Sequence, residues 1–182
     1  MPKTLQPAIE LHEVQDILGR TPSTLVALLG SLRPSWSQAR PADDAWAPFD
    51  VLCHLAYIEE HDWMPRLQRI LEHGATKPFD PVDHGLQTER FEGQSVDEVL
   101  TKFATCRANN LAELDELELS TADLSRPGLH PSLGPVTMEN LLAAWVVHDL
   151  NHVAQITGGL AHHYKVQVGP WKEFLGILQR DP

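Results

Sequence analysis

Two histidines, His148 and His152, lie four residues apart within the apolar run WVVHDLNHVAQI (145–156). Apolar residues in this region recur in steps of three and four, and both histidines fall on that helical series. They therefore occupy positions that would face the interior of a bundle. Burying an uncompensated polar group costs about 1–3 kcal/mol, so each imidazole is expected to have a partner. At this spacing two imidazoles on one helical face can reach a single metal ion.

A third imidazole, His54, falls on the inward-facing series of another predicted helix, together with Val51 and Ile58. Three imidazoles form a ligand set that suits Zn²⁺, Ni²⁺ and similar divalent ions. They leave one coordination position open for water, which is typical of a catalytic rather than a structural site. The alternative is a core held by hydrogen bonds alone, because inward-facing histidines also occur without metal.

Asp149 and Gln155 are the two candidates for a catalytic role. Asp149 follows His148 as Glu does in the HExxH proteases, but it lies about 100° around the helix from that histidine. We therefore expect a solvated carboxylate, or one that orients an imidazole, in preference to a general base. Gln155 lies one turn beyond His152, where it either hydrogen-bonds a ligand or the substrate or makes a plain core contact.

Other polar residues have simpler interpretations. His61 shares a face with His54 but lies two turns away, about 10 Å, so it cannot bind the same ion, although it could line a pocket. Cys53 and Cys106 are expected to be small core residues, and Glu173 a surface residue. The aromatic residues expected in the core are Tyr57, Trp63 and Trp145, and the histidines expected at the surface are His162 and His163.

Four segments with helical periodicity must position these residues, and no part of the chain shows the sustained alternation of a strand. The first spans 11–32, with Pro22 as an expected kink, and the second begins at Pro48, bends at Pro65 and ends near Gly74. The third begins with a capping box, Ser95 to Glu98, and the fourth begins after Thr137 and runs to about Leu160.

The segments between and after these helices are rich in turn-forming residues. Long loops are predicted over 75–94 and 126–135, and such loops often shape a site. The tail VGPWKEFLGIL (168–178) predicts a short extra helix, docked through Trp171, Phe174, Leu175 and Leu178. The whole chain, 1–182, is thus predicted to be a single all-α domain: a four-helix bundle with a short C-terminal helix.

Composition excludes several classes of partner. The formal net charge is −11 and the pI is near 5.2, which disfavours phosphate backbones and anionic membranes. No stretch approaches the roughly 18 consecutive apolar residues of a membrane span, and the start MPKTLQPAIE lacks the features of a secretion signal. We expect a small-molecule substrate, no nucleic-acid or membrane partner, and a cytoplasmic protein with free thiols.

The segments WAPFDVLCHLAYIEEHDW, LHPSLGPVTMENLL and WVVHDLNHVAQI resemble the DinB-like (DinB/YfiT-like) family of metal-binding four-helix bundles. In that family one histidine of the second helix and an HxxxH pair of the fourth bind a divalent ion. The resemblance therefore implies the same three ligands, His54, His148 and His152, with Zn or Ni as the metal. It also implies a homodimer.

Three functions are compatible with such a site. The resemblance favours a metal-dependent enzyme, possibly an S-transferase, in which a low-molecular-weight thiol attacks an electrophile as thiolate. The carboxylates of that thiol would need cationic partners, for which the candidates are Arg66, Arg69, Arg90 and Arg107. The second function is a hydrolase using metal-bound hydroxide, with Asp149 or another carboxylate accepting a proton. The third is a non-enzymatic metal- or ligand-binding bundle of the stress response.

Overall fold

The computed structural model describes residues 9–83 and 86–179. The α-helices are α1 (Leu11–Leu29), α2 (Pro34–Ser37), α3 (Pro48–His61), α4 (Trp63–His73), α5 (Leu86–Arg90), α6 (Val96–Glu116) and α7 (Met138–His162). The strands are β1 (Pro127–His130) and β2 (Gly134–Thr137). Short 3₁₀ helices span Gly74–Thr76, Asp123–Ser125, Gly169–Phe174 and Gly176–Leu178.

The predicted four-helix bundle is confirmed. Helix α1 packs against α6 and α7, and α3 packs against the same two helices. The order around the bundle is therefore α1, α6, α3, α7, with α1 diagonally opposite α3 and α6 diagonally opposite α7. Within the described ranges, no helix is both long enough and apolar enough to cross a lipid bilayer.

Side-chain caps begin two helices of the bundle, α6 and α7, where the sequence predicts. Glu98 accepts a hydrogen bond from the backbone of Ser95 at 2.7 Å, and Ser95 Oγ accepts one from the backbone of Glu98 at 3.3 Å. Thr137 Oγ1 caps α7 in the same way, at 3.2 Å from the backbone nitrogen of Asn140. These caps satisfy N–H groups that the first turn of a helix leaves unpaired.

The bend in the second segment lies at Asp62, not at Pro65. Helix α3 ends at His61 and α4 begins at Trp63, with Asp62 between them at φ −118° and ψ −60°. Pro65 stands in the first turn of α4, where its missing N–H is not needed. Its ring would meet the carbonyl of the fourth residue before it, His61, if the helix continued, so the break precedes the proline by one turn.

The Pro- and Gly-rich loop predicted over 126–135 contains most of a β-hairpin, which corrects the expectation of a strand-free chain. Strands β1 and β2 pair antiparallel, and Gly134 adopts the left-handed φ of +80° where β2 begins. Each strand has four residues, too short to show alternation in the sequence. The hairpin packs closely, because a Cβ on Gly128 would lie 2.8 Å from Ile70 Cγ1.

The C-terminal segment differs from the predicted docked helix. It forms two short 3₁₀ helices, of which Gly176–Leu178 contacts α7. Trp171 and Phe174 are 71% and 84% exposed, so the expectation that they dock on the bundle is wrong. Gly169, Pro170 and Gly176 are poor helix formers, which accounts for the interrupted path.

Adjacent glycines of α7 are expected to respond oppositely to alanine. A Cβ on Gly158 would meet no atom within 4 Å, whereas one on Gly159 would lie 3.1 Å from Pro48 Cγ on α3. Gly158→Ala should therefore raise the free energy of unfolding by about 0.5–1 kcal/mol, because alanine favours a helix. Gly159→Ala is the matched control and should show no such gain in urea denaturation. Equal gains at both positions would contradict the close approach of α7 to α3.

Candidate metal centre

Three histidines of two neighbouring helices converge in the bundle. His54 lies in the second turn of α3, and His148 and His152 lie one turn apart on α7. One ring nitrogen from each falls within 4.8 Å of the other two. The Nε2 atoms of His54 and His148 are 3.1 Å apart, and the ring of His152 is centred 4.7 Å and 4.4 Å from those of His54 and His148.

The cluster is shielded from solvent. His54 is 6% exposed and His152 is 9% exposed, and His148 is partly buried. Burial lowers the pKa of His152 below its usual value, although the hydrogen bond that His152 donates to Gln155 and the charge of Asp149 act in the opposite direction. A neutral imidazole retains the lone pair that a metal ligand needs.

Two glutamine side chains orient the imidazoles. Gln87 Oε1 lies 2.9 Å from Nδ1 of His54, and Gln155 Oε1 lies 2.8 Å from Nδ1 of His152. Because an amide oxygen only accepts hydrogen bonds, each Nδ1 carries the proton and each Nε2 presents its lone pair. Of the two interpretations of Gln155, the hydrogen bond to a proposed ligand is the one observed.

Gln87 was missed from the sequence. It lies on α5, within the segment predicted to be a loop, and its side chain is 6% exposed. Nothing in its spacing connects it to His54, which lies 33 residues earlier. Only the packing of α5 against α3 brings the two side chains together.

The donor set fits a divalent ion. Bonds of about 2.0–2.1 Å in tetrahedral geometry place two nitrogen ligands about 3.3 Å apart. The observed separation of 3.1 Å between Nε2 of His54 and Nε2 of His148 is close to that value. Neutral imidazoles with their outer nitrogens fixed by hydrogen bonds are the ligands that Zn²⁺ and Ni²⁺ accept.

Aromatic side chains surround the cluster. The ring of Trp63 is centred 5.2 Å from that of His148, and the ring of Trp46 is centred 5.1 Å from that of His54. Trp63 also stacks on Trp145, at 5.7 Å between centroids. Tyr57, Trp63 and Trp145 are all at most 6% exposed, so their predicted place in the core is confirmed. This apolar wall lowers the local dielectric around the imidazoles.

A cavity adjoins the histidine cluster. Its volume is about 580 Å³, and its wall includes Trp46, Gln155, Gly159 and Ile177. Gln155 touches His152 and Trp46 touches His54, so the same two residues border both the cluster and the cavity. None of the three histidines lines the cavity, so the two regions meet through Gln155 and Trp46.

Asp149 does not have the solvated carboxylate that we expected. It is 1% exposed, and its two oxygens lie 2.7 Å and 3.1 Å from the guanidinium nitrogens of Arg107. The 100° step that separates it from His148 directs the carboxylate into the bundle core instead of to solvent. Because this ion pair occupies the carboxylate, Asp149 is not available as the proton acceptor of a reaction at the histidine cluster.

Arg107 is the centre of a buried ion cluster, which the sequence analysis also missed. It is 1% exposed, and Glu59 binds it through two oxygens, each at 2.8 Å. A fifth hydrogen bond runs to the carbonyl of Leu18 at 2.7 Å, so all five N–H groups of the guanidinium donate. Burial lowers the pKa of Arg107, but the hydrogen bonds and charges of Glu59 and Asp149 outweigh it and raise that pKa.

The remaining arginine candidates are also engaged by carboxylates. Arg66 binds Asp62 at 2.5 Å, Arg90 binds Glu60 at 3.0 Å, and Arg69 pairs with Asp80. Arg107 is enclosed by its own ion cluster. Each of the four residues considered as a partner for a thiol's carboxylate therefore already has an acidic partner.

The other polar residues have less direct relations to the cluster. The side chain of His61 is 41% exposed and contacts Tyr57, away from the cavity wall, and Glu173 is exposed as predicted. Burial raises the pKa of the Cys53 thiol to about 12, consistent with a core residue. Cys106 is only partly buried, so its assignment to the core is wrong.

The family model of the DinB superfamily matches residues 17–156, and the chain belongs to that superfamily. The matched region contains all three histidines of the cluster. No curated protein matches the chain.

Two solved structures share the fold. YfiT from Bacillus subtilis, described as a probable metal-dependent hydrolase with an unusual four-helix bundle topology, superposes with a TM-score of 0.72 at 21% identity. The match covers 87% of this chain and 90% of YfiT. TT2238, a four-helix bundle protein, gives a TM-score of 0.57 at 23% identity, over 81% of this chain and 98% of that one.

Removal of the buried guanidinium is expected to destabilise the bundle strongly. Arg107→Met leaves the carboxylates of Glu59 and Asp149 buried without their cation, which should lower the free energy of unfolding by about 3–5 kcal/mol. The control is Arg126→Met, because Arg126 is 46% exposed and pairs with Asp123 at the surface. That change should cost less than about 1 kcal/mol in the same urea denaturation series. Similar losses in both variants would show that the buried cluster has no special role.

Proposed function

We propose that the chain is a metal-dependent hydrolase acting on a small molecule, with His54, His148 and His152 holding one divalent ion. The observation that carries this proposal is the convergence of three imidazole nitrogens within 4.8 Å beside a cavity of about 580 Å³. The fold similarity to YfiT, itself described as a probable metal-dependent hydrolase, supports the same class of reaction.

The chain's own residues prepare the site for this chemistry. A divalent ion bound by three imidazoles would lower the pKa of a coordinated water and polarise a substrate carbonyl. Gln87 and Gln155 hold Nδ1 of His54 and Nδ1 of His152, so the Nε2 atoms of these two histidines would be the ones to bind the ion. Trp46 lies against His54 and Trp63 lies against His148, and both indoles exclude bulk water there, which strengthens electrostatic interactions.

The thiol-dependent S-transferase finds less support. Its cofactor would bring carboxylates, and the four arginines considered for them are occupied by acidic side chains, at Arg107 within a buried cluster. The assays must therefore be run with and without added thiol, so that a thiol-dependent transferase is distinguished from a hydrolase. Homodimer formation and the choice between Zn and Ni stay predictions.

Loss of an orienting amide should weaken ion binding. Gln87→Leu removes the acceptor that holds Nδ1 of His54 and should reduce Zn²⁺ affinity by about 10- to 100-fold. A competition titration with a chromophoric chelator measures this. Gln68→Leu is the matched control, because Gln68 is an exposed residue bonded to Glu113. Unchanged affinity in Gln87→Leu would mean that the amide does not orient a ligand.

The function is tested by ion content and turnover in the same preparations. The wild-type chain should contain about one divalent ion and should hydrolyse members of an ester and amide panel after ion loading. The variant His54→Ala/His148→Ala/His152→Ala should lose both ion and turnover, because it lacks every proposed ligand. His61→Ala is the control, since His61 lies on the same helix but is exposed at the surface.

Elemental analysis and assays with and without added thiol separate the alternatives. An undiminished ion content in the triple variant would refute the proposed ligands. Thiol-dependent conversion of monochlorobimane without hydrolysis would favour the transferase. A bound ion with neither activity would favour a binding protein.

A further inference from the structure

The cavity beside the histidine cluster has the size of a small-molecule site. It lies between the second half of α7, the segment that precedes α3 and the turn Gly176–Leu178. Its volume of about 580 Å³ falls within the range of about 300–1,000 Å³ that is common for such sites. Trp46 and Ile177 contribute apolar surface, and Gly158 leaves space because a Cβ there would meet no atom within 4 Å.

Among the described residues, the wall of this cavity presents hydrogen-bonding groups and no carboxylate, ammonium or guanidinium group. Over the described part of the chain, none of the residues that line it is Asp, Glu, Lys or Arg. The polar side chains are the amides of Asn151 and Gln155, the hydroxyl of Thr157 and the imidazole of His162. Burial lowers the pKa of His162, and Lys165, outside the wall, lowers it further, and both effects favour the uncharged imidazole.

An ionic ligand would be poorly matched to such a wall. A carboxylate or ammonium group entering the cavity gives up hydration and meets no counter-charge on the lining residues. A carbonyl or amide group, in contrast, finds amide, hydroxyl and imidazole partners, and an aromatic group finds the ring of Trp46. The lining therefore discriminates by charge.

We infer that the substrate is an uncharged ester or amide with an apolar or aromatic part, and not a compound that carries a carboxylate or phosphate. This inference rests on the proposed hydrolase function for the reaction type and on the cavity wall for the charge. Trp46 connects the cavity with the histidine cluster, because it lines the cavity and its ring centroid lies 5.1 Å from that of His54.

The reaction converts an uncharged substrate into an acidic product. In hydrolysis the bond between the acyl carbon and the leaving oxygen or nitrogen breaks. Water supplies the hydroxyl group of the acid and the hydrogen of the departing alcohol or amine. At pH 7 the acid ionises, and its carboxylate meets no cationic side chain among the described residues that line the cavity. The chain's net charge of −11 also repels the anion once it leaves the cavity.

The test compares three probes of one shape: phenylacetamide, phenylacetate and phenethylammonium. Binding to the full chain is measured by calorimetry and saturation-transfer NMR with a chelator present, so that the result does not depend on a bound ion. We expect phenylacetamide to bind at least about tenfold more tightly than either ion, because only the ions lose uncompensated hydration. Equal or tighter binding of phenylacetate or phenethylammonium, or no binding of phenylacetamide, would overturn the inference.

Substitutions at exposed or unobstructed positions of α7 locate the effect in the cavity. Ala154→Lys adds a cation to the wall. It should increase the affinity for phenylacetate relative to phenylacetamide by about fivefold, which corresponds to the free energy of an exposed ion pair. Ala154→Gln is the neutral control of similar length and should leave the preference unchanged. Gly158→Leu should fill the cavity and abolish amide binding. Undiminished binding in Gly158→Leu, with its fold verified by circular dichroism, would place the probe elsewhere and overturn the inference.

These results are separable from those that test the hydrolase. If the chain binds no divalent metal ion but still prefers phenylacetamide to the charged probes, the proposed hydrolase is refuted and the preference of the cavity for uncharged ligands is established. Ion-dependent hydrolysis without charge selectivity would refute the substrate class and leave the hydrolase in place.

Discussion

The buried guanidinium of Arg107 is the constraint on which the arrangement of the bundle depends. It lies on α6 and bonds to the carbonyl of Leu18 on α1, to Glu59 on α3 and to Asp149 on α7. A buried charge is tolerated only when its donors are satisfied, so all four helices must keep their relative positions. Glu59 follows His54 by five residues and Asp149 directly follows His148. The contacts that satisfy the guanidinium therefore also set the distance between the histidine-bearing faces of α3 and α7.

The polar interior is divided into two compartments with different chemistry. Arg107, Glu59 and Asp149 form one group, which is held by ion pairs. The histidines form a second group, in which Gln87 and Gln155 hold the imidazoles by hydrogen bonds. Trp145 borders both, because its indole N–H donates to Glu59 at 3.2 Å while its ring stacks on Trp63, which contacts His148. The ion pairs keep the acidic groups engaged with Arg107. In the second group, burial lowers the pKa of His152, which favours the imidazole form that donates a lone pair to an ion.

Local periodicity predicted the helices, their caps and the inward-facing histidines, because each of these depends on neighbouring residues of one segment. The partners contributed by other segments were not predictable in this way. Arg107 resembles any helical arginine in the sequence, and its burial follows only from the meeting of four helices. Gln87 has no spacing that relates it to His54. Asp149 was expected to be solvated or to orient an imidazole, since the cation that it binds lies 42 residues earlier and no local pattern connects the two.

The ring centroid of Trp46 lies 5.1 Å from that of His54, and the ring centroid of Trp63 lies 5.2 Å from that of His148. Indole emission is sensitive to polarity, protonation and quenching by groups at such distances. The protein thus carries intrinsic fluorophores on two sides of the cluster, one of them shared with the cavity. Occupancy of the cluster and of the cavity can be followed optically on the unlabelled chain, and the two signals can be separated by replacing one indole at a time.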